Sequence, residues 1–331
     1  MMLFILQDKG RGLIGILRLN MNHTAVTEFI ILGFSAFTDV RLPIFFFLFF
    51  VYLATLIGNG AVVYIVHSDC ALHSAMYFFL CNLSILETIY SSVTMPKILA
   101  NLLSEEMKIS FLGCAIQMFF FLSLGTTECV LLAVMAFDRF TAICRPLYYS
   151  LVMSAQNCCC LSAFSWLSGV LLSMGQTMFI FSLPYCGPNV IDHFFCDIPP
   201  VLKLACSETY LNEIAIFSVC VAILLTPFLL ILGSYTRILS TLLKITSVDN
   251  RGKAYSTCVS HLTSVTLFYG TAAFMYLRPR SLYSLDIDRF LALFYSVVTP
   301  MLNPLIYSLR NQEVKASFFR ILSRPQLFCK T

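Results

Sequence analysis

The distribution of apolar residues shows seven long apolar segments separated by short polar loops. They cover residues 42–66, 76–98, 112–137, 158–181, 211–236, 254–277 and 289–309. Segments of about this length are what a helix needs to cross the hydrocarbon of a bilayer, ~20 residues. Lipid offers no hydrogen bonds, so such segments must satisfy their backbone groups internally, as helices. The pattern therefore predicts an all-α membrane protein with a seven-transmembrane helix bundle.

Composition supports the same interpretation. The 331 residues are 59% hydrophobic and 11% charged, whereas soluble domains carry about 25% charged residues. We expect an extracellular N-terminal segment at 1–41, a seven-transmembrane bundle at 42–309 and a cytoplasmic tail at 310–331. The net charge of +4 is spread along the chain without a basic run. The expected partner by composition is therefore the lipid bilayer, and not a nucleic acid.

The tail contains a short amphipathic pattern. Val314, Phe318 and Ile321 recur at helical spacing, with Lys315 and Arg320 beside them. This pattern predicts a short helix at the inner leaflet. Further along, Cys329 is open to acylation or remains a free thiol. The run of three cysteines at 158–160 has no evident physical role in the sequence.

Four cysteines set the expected orientation. Cys186, Cys196 and Cys206 lie in the 182–210 segment, and Cys114 opens the third span. Disulfides persist in the oxidising exterior, so this side is predicted to be extracellular, together with the N-terminus. The Asn-x-Thr glycosylation acceptor at Asn22 then faces the exterior. From spacing alone, three pairings of the four cysteines remain open.

An acid and a base, Asp138 and Arg139, follow the third apolar segment directly. An ionised residue in a membrane costs several kcal/mol unless it pairs or reaches the interface. One hypothesis is that the two residues form a charged pair that is made in one conformation of the protein and broken in another. The other is an interfacial anchor whose charged end reaches water. The residues alone leave both open.

Several motifs resemble a known family. The sequence Asp138-Arg139-Phe140 resembles the Asp-Arg-Tyr box of rhodopsin-like G-protein-coupled receptors. Further stretches resemble olfactory (odorant) receptors in the same order: LHSAMYFFL at 72–80, MPK at 95–97, SY at 234–235, KAYSTCVSHL at 253–262, FYGT at 268–271 and PMLNPLIYSLRN at 300–311. Departures include Ala75 where proline is usual and Phe140 where tyrosine is usual. The resemblance covers about residues 22 to 322, so residues 1–20 look like an extra leader.

The resemblance implies a plasma-membrane receptor, not an enzyme, that binds a small, mostly apolar volatile odorant. It also implies activation of a stimulatory olfactory-type G protein, a rise in cAMP, and disulfides Cys114–Cys196 and Cys186–Cys206. The implied ligand site lies in the outer halves of spans three, five and six, at Met118, Phe121, Leu122, Gly125, Thr126, Val219, Cys220, Ile223, Tyr269, Ala272, Ala273 and Tyr276. Plain bundle packing is the alternative role of each residue. These outer halves contain no Asp or Glu, so we expect no buried counter-ion for an amine.

The resemblance also implies a set of activation residues. They are Asp138, Arg139, Tyr235, His261, Asn303, Pro304 and Tyr307. Asn303 and Tyr307 share a helix face, and Pro304 between them weakens the hydrogen-bond ladder and permits a hinge. The alternative is an ordinary proline kink. His261 would additionally make activation sensitive to pH.

Glu87 and Glu128 both lie at mid-membrane, and the resemblance implies that they form a polar core with Asn59. Two buried carboxyl groups that face each other share a proton or a cation. The resemblance implies a sodium ion held with Asn59 and Asn303, and no other cofactor. The alternative is a structural polar cluster, protonated and bridged by water.

Three other functions remain as alternatives. A transporter or channel would need a continuous polar path and broken helices, but only Glu87 and Glu128 would contribute to one. An intramembrane enzyme would need a catalytic motif such as H-E-x-x-H or G-x-S-x-G, and the sequence contains neither. A receptor for a peptide or lipid would be distinguished by a ligand panel.

Overall fold

The computed structural model describes residues 26–33, 40–104, 106–244, 248–276, 290–310 and 312–323. Within these residues, eight helices that we label α1 to α8 form the scaffold. Their bounds are α1 Arg41–Ser68, α2 Ala75–Leu103, α3 Phe111–Cys144, α4 Ala155–Phe181, α5 Tyr210–Leu242, α6 Val248–Tyr276, α7 residues 290–310 and α8 Gln312–Ser323. The prediction that all seven apolar segments are helical is confirmed.

Six of the described helices are long and apolar enough to cross a membrane: α1 to α5 and residues Phe290–Tyr307 of α7. The remaining long helix, α6, has 29 residues, which at 1.5 Å per residue span about 43 Å. Its first turns carry Asp249, Asn250 and Arg251. These charged and polar residues make α6 more polar overall than the other long helices, although its length suffices to cross a bilayer.

Several helices extend beyond the apolar segments that predicted them. Helix α3 was expected at 112–137 but continues to Cys144, and α5 was expected to end at residue 236 but reaches Leu242. Hydropathy marks only the part of a helix inside hydrocarbon, whereas helical hydrogen bonding continues into the aqueous boundary. The extension carries Asp138 and Arg139 inside the helix and not at its end.

Helix α3 is the central element of the bundle. In its most apolar stretch of 18 residues, 78% are buried, against 22% for α1. Its start is fixed by Ser110, whose hydroxyl accepts a hydrogen bond from the Gly113 backbone N–H at 3.0 Å, as expected for an N-cap. A residue on almost any face of α3 therefore contacts another helix.

Helix α4 packs against α3 through small residues. Ser162, Ser165, Gly169 and Ser173 are buried along one face of α4. Small residues at this spacing let two membrane helices approach closely. A Cβ atom built on Gly169 would lie 2.5 Å from the Ser123 carbonyl oxygen of α3. The contact therefore requires glycine at position 169.

A small three-stranded sheet covers one end of the bundle. Strand β1 (Glu28–Ile31) pairs antiparallel with β2 (Lys108–Ser110) and parallel with β3 (Val190–Ile191). Phe29 and Ile31 of β1 are fully buried. The three strands are too short to give a period-two pattern, so this sheet is not predictable from the sequence.

One disulfide attaches the 182–210 segment to α3, and a second closes a loop within the segment. Cys114 bonds Cys196 and Cys186 bonds Cys206, with Cα atoms 5.5 Å and 5.9 Å apart. Both pairings implied by the resemblance are confirmed. The glycosylation acceptor Asn22 and the leader at residues 1–20 lie outside the described residues.

The 182–210 segment buries a histidine, and we predict that the stability of the protein depends on pH through this residue. His193 is 3% exposed, and this burial lowers its pKa to about 4, below the ~6.5 of an unfolded chain. Between pH 6.5 and 4 the unfolded chain binds more protons, so stability is complete above pH 6.5 and falls as the pH drops. The expected loss at pH 5 relative to pH 7.5 is about 2 kcal/mol.

Thermal unfolding of the purified protein at pH 7.5 and pH 5 measures this effect. A His193→Asn variant cannot titrate in this range, so its unfolding temperature should change less between the two conditions than that of the unsubstituted protein. Equal changes in the two proteins would show that His193 does not cause the pH dependence.

Helix α8 is docked on the bundle by polar contacts as well as by its apolar face. Arg320 donates to the Asp69 carboxylate at 2.7 Å, and the Tyr77 hydroxyl donates to Glu313 at 2.7 Å. Val314 is buried against the bundle, whereas Phe318 remains exposed. The predicted tail helix is present, but its apolar residues divide between the bundle and the outer surface.

Candidate functional site

A cavity of about 550 Å³ lies between the helices in the half of the bundle nearest the sheet. Six helices, α2 to α7, contribute to its wall. Its lining residues are Tyr90, Phe121, Leu122, Gly125, Thr126, Cys129, Gln176, Cys220, Ile223, Leu224, Phe268, Ala272, Tyr276 and Tyr295. The mostly apolar wall, with a few polar groups, matches the general character of small-molecule sites.

Eight of the twelve predicted ligand residues line this cavity: Phe121, Leu122, Gly125, Thr126, Cys220, Ile223, Ala272 and Tyr276. The other four do not. Met118 is fully buried in the core, Val219 is exposed, and the Tyr269 hydroxyl donates to the Cys129 carbonyl at 3.1 Å. Ala273 is half-buried outside the wall. The role of all twelve in binding stays a prediction.

Six lining residues were missed by sequence analysis. Tyr90 of α2, Gln176 of α4 and Tyr295 of α7 belong to helices that were not considered for the site, and Cys129, Leu224 and Phe268 lie deeper than expected. The rings of Tyr90 and Tyr295 contact Phe121, with centroids 5.2 Å and 5.6 Å away. Their phenol groups, unusual in apolar spans, were the available signal.

The outer halves of α3, α5 and α6 contain no Asp or Glu, as the sequence shows, but a buried carboxylate from another segment lies next to the site. Asp197, in the 182–210 segment, is fully buried and accepts a hydrogen bond from the Tyr276 hydroxyl at 3.1 Å. Tyr295 lies on the other side of Tyr276, with 3.4 Å between the two hydroxyl oxygens. The carboxylate comes from a loop that folds into the bundle, which an inspection of the spans alone could not show.

The predicted polar core is assembled in the structure. The Asn303 amide donates to the Glu87 carboxyl, and the Glu87 and Glu128 carboxyl groups are close enough to interact with each other. Asn59 donates to the backbone oxygens of Thr55 and Pro300 at 3.0 Å and 3.1 Å. The core therefore ties α1, α2, α3 and α7 together at mid-membrane.

Four side-chain oxygens in this core are buried without a hydrogen-bond partner. They are Asn59 Oδ1, Glu87 Oε2, Glu128 Oε1 and Asn303 Oδ1. Buried polar atoms are normally satisfied, so this set is suited to a bound water or a hard cation that prefers oxygen. No group of three or more His, Cys, Asp or Glu side chains suited to a metal occurs among the described residues. The donor set is therefore chemically compatible with sodium and unsuited to zinc.

The charged pair in α3 is buried and the two residues have different partners. Arg139 is 4% exposed, so its charged end does not reach water as an interfacial anchor would. Its Nη1 donates to the Met135 carbonyl at 3.2 Å, whereas Asp138 accepts a hydrogen bond from the Tyr149 hydroxyl at 2.9 Å. Neighbouring helical side chains point in different directions. Asp138 and Arg139 therefore have separate hydrogen-bond partners in this structure, and their role as a charged switch stays a prediction.

Arg139 faces a small inner cavity of about 340 Å³. Met76, Leu80, Met135 and Tyr307 contribute to its lining, together with Thr257 and Ser260 of α6. The guanidinium Nε is buried and has no hydrogen-bond partner. A guanidinium offers five donors, so this cation is only partly satisfied where it lies.

Tyr235 and His261 connect α5, α6 and α3. The Tyr235 hydroxyl lies 2.8 Å from His261 Nδ1, and His261 Nε2 lies 3.1 Å from the Leu132 carbonyl. A carbonyl only accepts, so Nε2 carries the proton and Nδ1 accepts from the tyrosine. A neutral imidazole therefore satisfies both contacts.

Helix α7 carries the remaining predicted residues. A π-helical turn at Phe294–Val298 precedes the α-helix Thr299–Arg310, which contains Asn303, Pro304 and Tyr307. The Pro304 ring packs closely on α1, because a Cβ atom at Gly58 would lie 3.3 Å from its Cγ. Asn303 meets the polar core and Tyr307 meets the inner cavity, so one helix connects the two sites.

The sequence is similar to characterised receptor families. A family model described as olfactory receptor matches residues 48–325. Olfactory receptor 10C1 of Homo sapiens is 53% identical over 306 residues, covering 92% of this chain and 98% of the relative. Olfactory receptor 5AR1 of Mus musculus is 50% identical over 308 residues, covering 92% and 99%. The similarity extends over the cavity, the polar core and the inner cavity.

Proposed function

The chain belongs to the olfactory receptor family of rhodopsin-like G-protein-coupled receptors, and we propose that it detects a small, mostly apolar volatile odorant in the 550 Å³ cavity. Family membership makes it a seven-helix, multi-pass membrane receptor and not an enzyme. The finer proposal includes coupling to a stimulatory olfactory-type G protein that raises cAMP. It also places the N-terminus and the sheet outside the plasma membrane.

The wall of the cavity supports this ligand class. Phe121, Leu122, Ile223 and Ala272 supply apolar surface, and Tyr276 supplies a hydroxyl at one edge. Apolar sites with few polar groups bind by surface burial and use the polar groups to fix orientation. Asp197 already accepts hydrogen bonds from Tyr276 and from the Ile198 backbone N–H. An uncharged odorant therefore fits without displacing an existing contact.

The path to the inner face runs through the polar core. A ligand shifts the balance between two states only by its differential affinity for them. Phe121, Glu128, Leu132 and Arg139 lie along α3 at helical spacing, and they connect the outer cavity with Glu87 of α2 and the inner cavity. We include a sodium ion as an allosteric modulator in this proposal, held by the unpartnered oxygens of Asn59, Glu87, Glu128 and Asn303.

A matched pair of alanines tests the site. Ala272 lines the cavity and its neighbour Ala273 does not. Ala272→Phe should fill the space of the odorant and raise the half-maximal concentration about ten-fold or more, since overpacking costs ~1–3 kcal/mol. Ala273→Phe should have a much smaller effect.

The measurement is cAMP in cells that carry the olfactory G protein, exposed first to a broad volatile panel and then to dilutions of an active compound. Surface staining of both variants controls for delivery. A stronger effect of Ala273→Phe than of Ala272→Phe would reject this cavity as the odorant site.

A further inference from the structure

The start of helix α4 presents two free cysteines on its outer surface. Cys159 and Cys160 are exposed, whereas the neighbouring Cys158 is buried and its thiol lies 3.6 Å from the Met153 carbonyl. Neither exposed thiol belongs to the odorant cavity, the polar core or the inner cavity. Their position in the helix indicates a different role.

Cys160 lies on the lipid-facing side of α4. At helical spacing beyond it come Phe164, Leu167 and Leu171, which are 63%, 60% and 61% exposed. The opposite face carries Cys158 and the small residues that pack on α3. Large apolar side chains are left exposed in this way when they contact lipid. The thiol of Cys160 therefore points toward the bilayer.

The length of α4 places these cysteines at the edge of the hydrocarbon. Its 27 residues extend about 40 Å at 1.5 Å per residue, whereas the hydrocarbon core is ~30 Å thick. If the helix is centred, roughly three residues project at each end. Ala155, Gln156 and Asn157 then lie among headgroups, and Cys159 and Cys160 lie at the boundary.

We propose that Cys160, together with Cys159, is a site of S-acylation by a long-chain fatty acid. Juxtamembrane cysteines are the usual sites of reversible S-palmitoylation, and an acyl chain on Cys160 would continue along the apolar stripe formed by Phe164 and Leu167. This inference rests on the proposed topology, which places the start of α4 in the cytosol, where acyl-coenzyme A is present.

The chemistry is an acyl transfer. The cysteine thiol loses its proton, and the thiolate attacks the carbonyl carbon of a long-chain acyl-coenzyme A. The carbon–sulfur bond to coenzyme A breaks, and its leaving thiolate takes up a proton. The products are a cysteine thioester and free coenzyme A, so the reaction needs no oxidant or reductant. Hydroxylamine cleaves such a thioester.

Metabolic labelling of the full-length receptor with an alkynyl palmitate analogue tests the proposal. The comparison is made in a Cys329→Ser background, because the tail thiol is a second candidate acceptor. Adding Cys159→Ser and Cys160→Ser should reduce the hydroxylamine-sensitive label to background. Adding Cys158→Ser, at the buried neighbour, should leave the label unchanged. Serine is close to cysteine in size, and antibody staining of an N-terminal tag on intact cells verifies delivery.

The accessibility of the same tag distinguishes a failure of the acylation proposal from a failure of the proposed topology. If the tag is reached from outside and the label persists after both substitutions, or is absent from the unsubstituted receptor, the acylation site is wrong and the topology stands. If the tag is accessible only after the cells are permeabilised, the topology fails and the acylation proposal fails with it. Differential alkylation and mass spectrometry of the unsubstituted receptor should find the thioester at Cys159 or Cys160.

Discussion

A Gly169→Ala substitution is expected to remove most of the receptor from the cell surface. The added Cβ atom would lie 2.5 Å from the Ser123 carbonyl oxygen and closer still to the Thr127 hydroxyl of α3. Backbone atoms of a packed helix cannot move aside without separating α3 from α4. Overpacking of this kind costs typically ~1–3 kcal/mol, and we expect the upper end because one of the clashing atoms belongs to the backbone.

Gly175→Ala, on the same helix, is the matched control, because a Cβ atom there has no neighbour within 4 Å. Surface staining and thermal unfolding of both variants measure the difference. A loss of ~2 kcal/mol already changes cellular abundance several-fold. If the two variants behaved alike, the close α3–α4 contact would not exist in the folded protein.

An Arg139→Ala substitution is expected to abolish odorant-dependent cAMP while surface delivery persists. Arg139 is buried, holds one hydrogen bond to Met135, and retains an unpartnered Nε. An incompletely satisfied cation at the inner end of α3 gains partners when the inner face opens. Removing Arg139 therefore removes the interactions that favour the open state over the closed state. Allosteric coupling between two sites typically changes the equilibrium binding affinity about 5–150-fold.

Arg145→Ala provides the control for this experiment. Arg145 lies just beyond the end of α3 and its guanidinium stacks 5.7 Å from the centre of the Phe140 ring at the surface. Its replacement removes a cation of the same type and should leave most of the response. A normal cAMP response in Arg139→Ala, measured at equal surface staining, would show that Arg139 does not carry the signal.

The sequence was sufficient to predict the helices, because a continuous apolar segment leaves the backbone no alternative in lipid. It also placed Glu87 and Glu128 together, since buried carboxyl groups in a bilayer must find partners, whereas Asn59 and Asn303 were added by the family resemblance. The disulfides required more: the residues left three pairings open, and only the family resemblance chose between them.

The rotation of each helix was harder to predict. Tyr90 and Tyr295 line the cavity although α2 and α7 were not considered for the site, and Ala273 points away although Ala272 points in. Hydropathy is nearly uniform around a membrane helix, so it cannot identify the face that meets a neighbour. Asp197 was missed for a different reason, since loop conformation depends on contacts between distant residues.

The central claim is that the odorant occupies the cavity between Phe121 of α3 and Tyr276 of α6. A structure of the receptor, determined with the most potent compound from the volatile panel and a stimulatory G protein, tests it most directly. We predict ligand density in contact with Phe121, Ala272 and Tyr276. Density for the compound elsewhere, with this cavity filled by protein side chains, would contradict the claim.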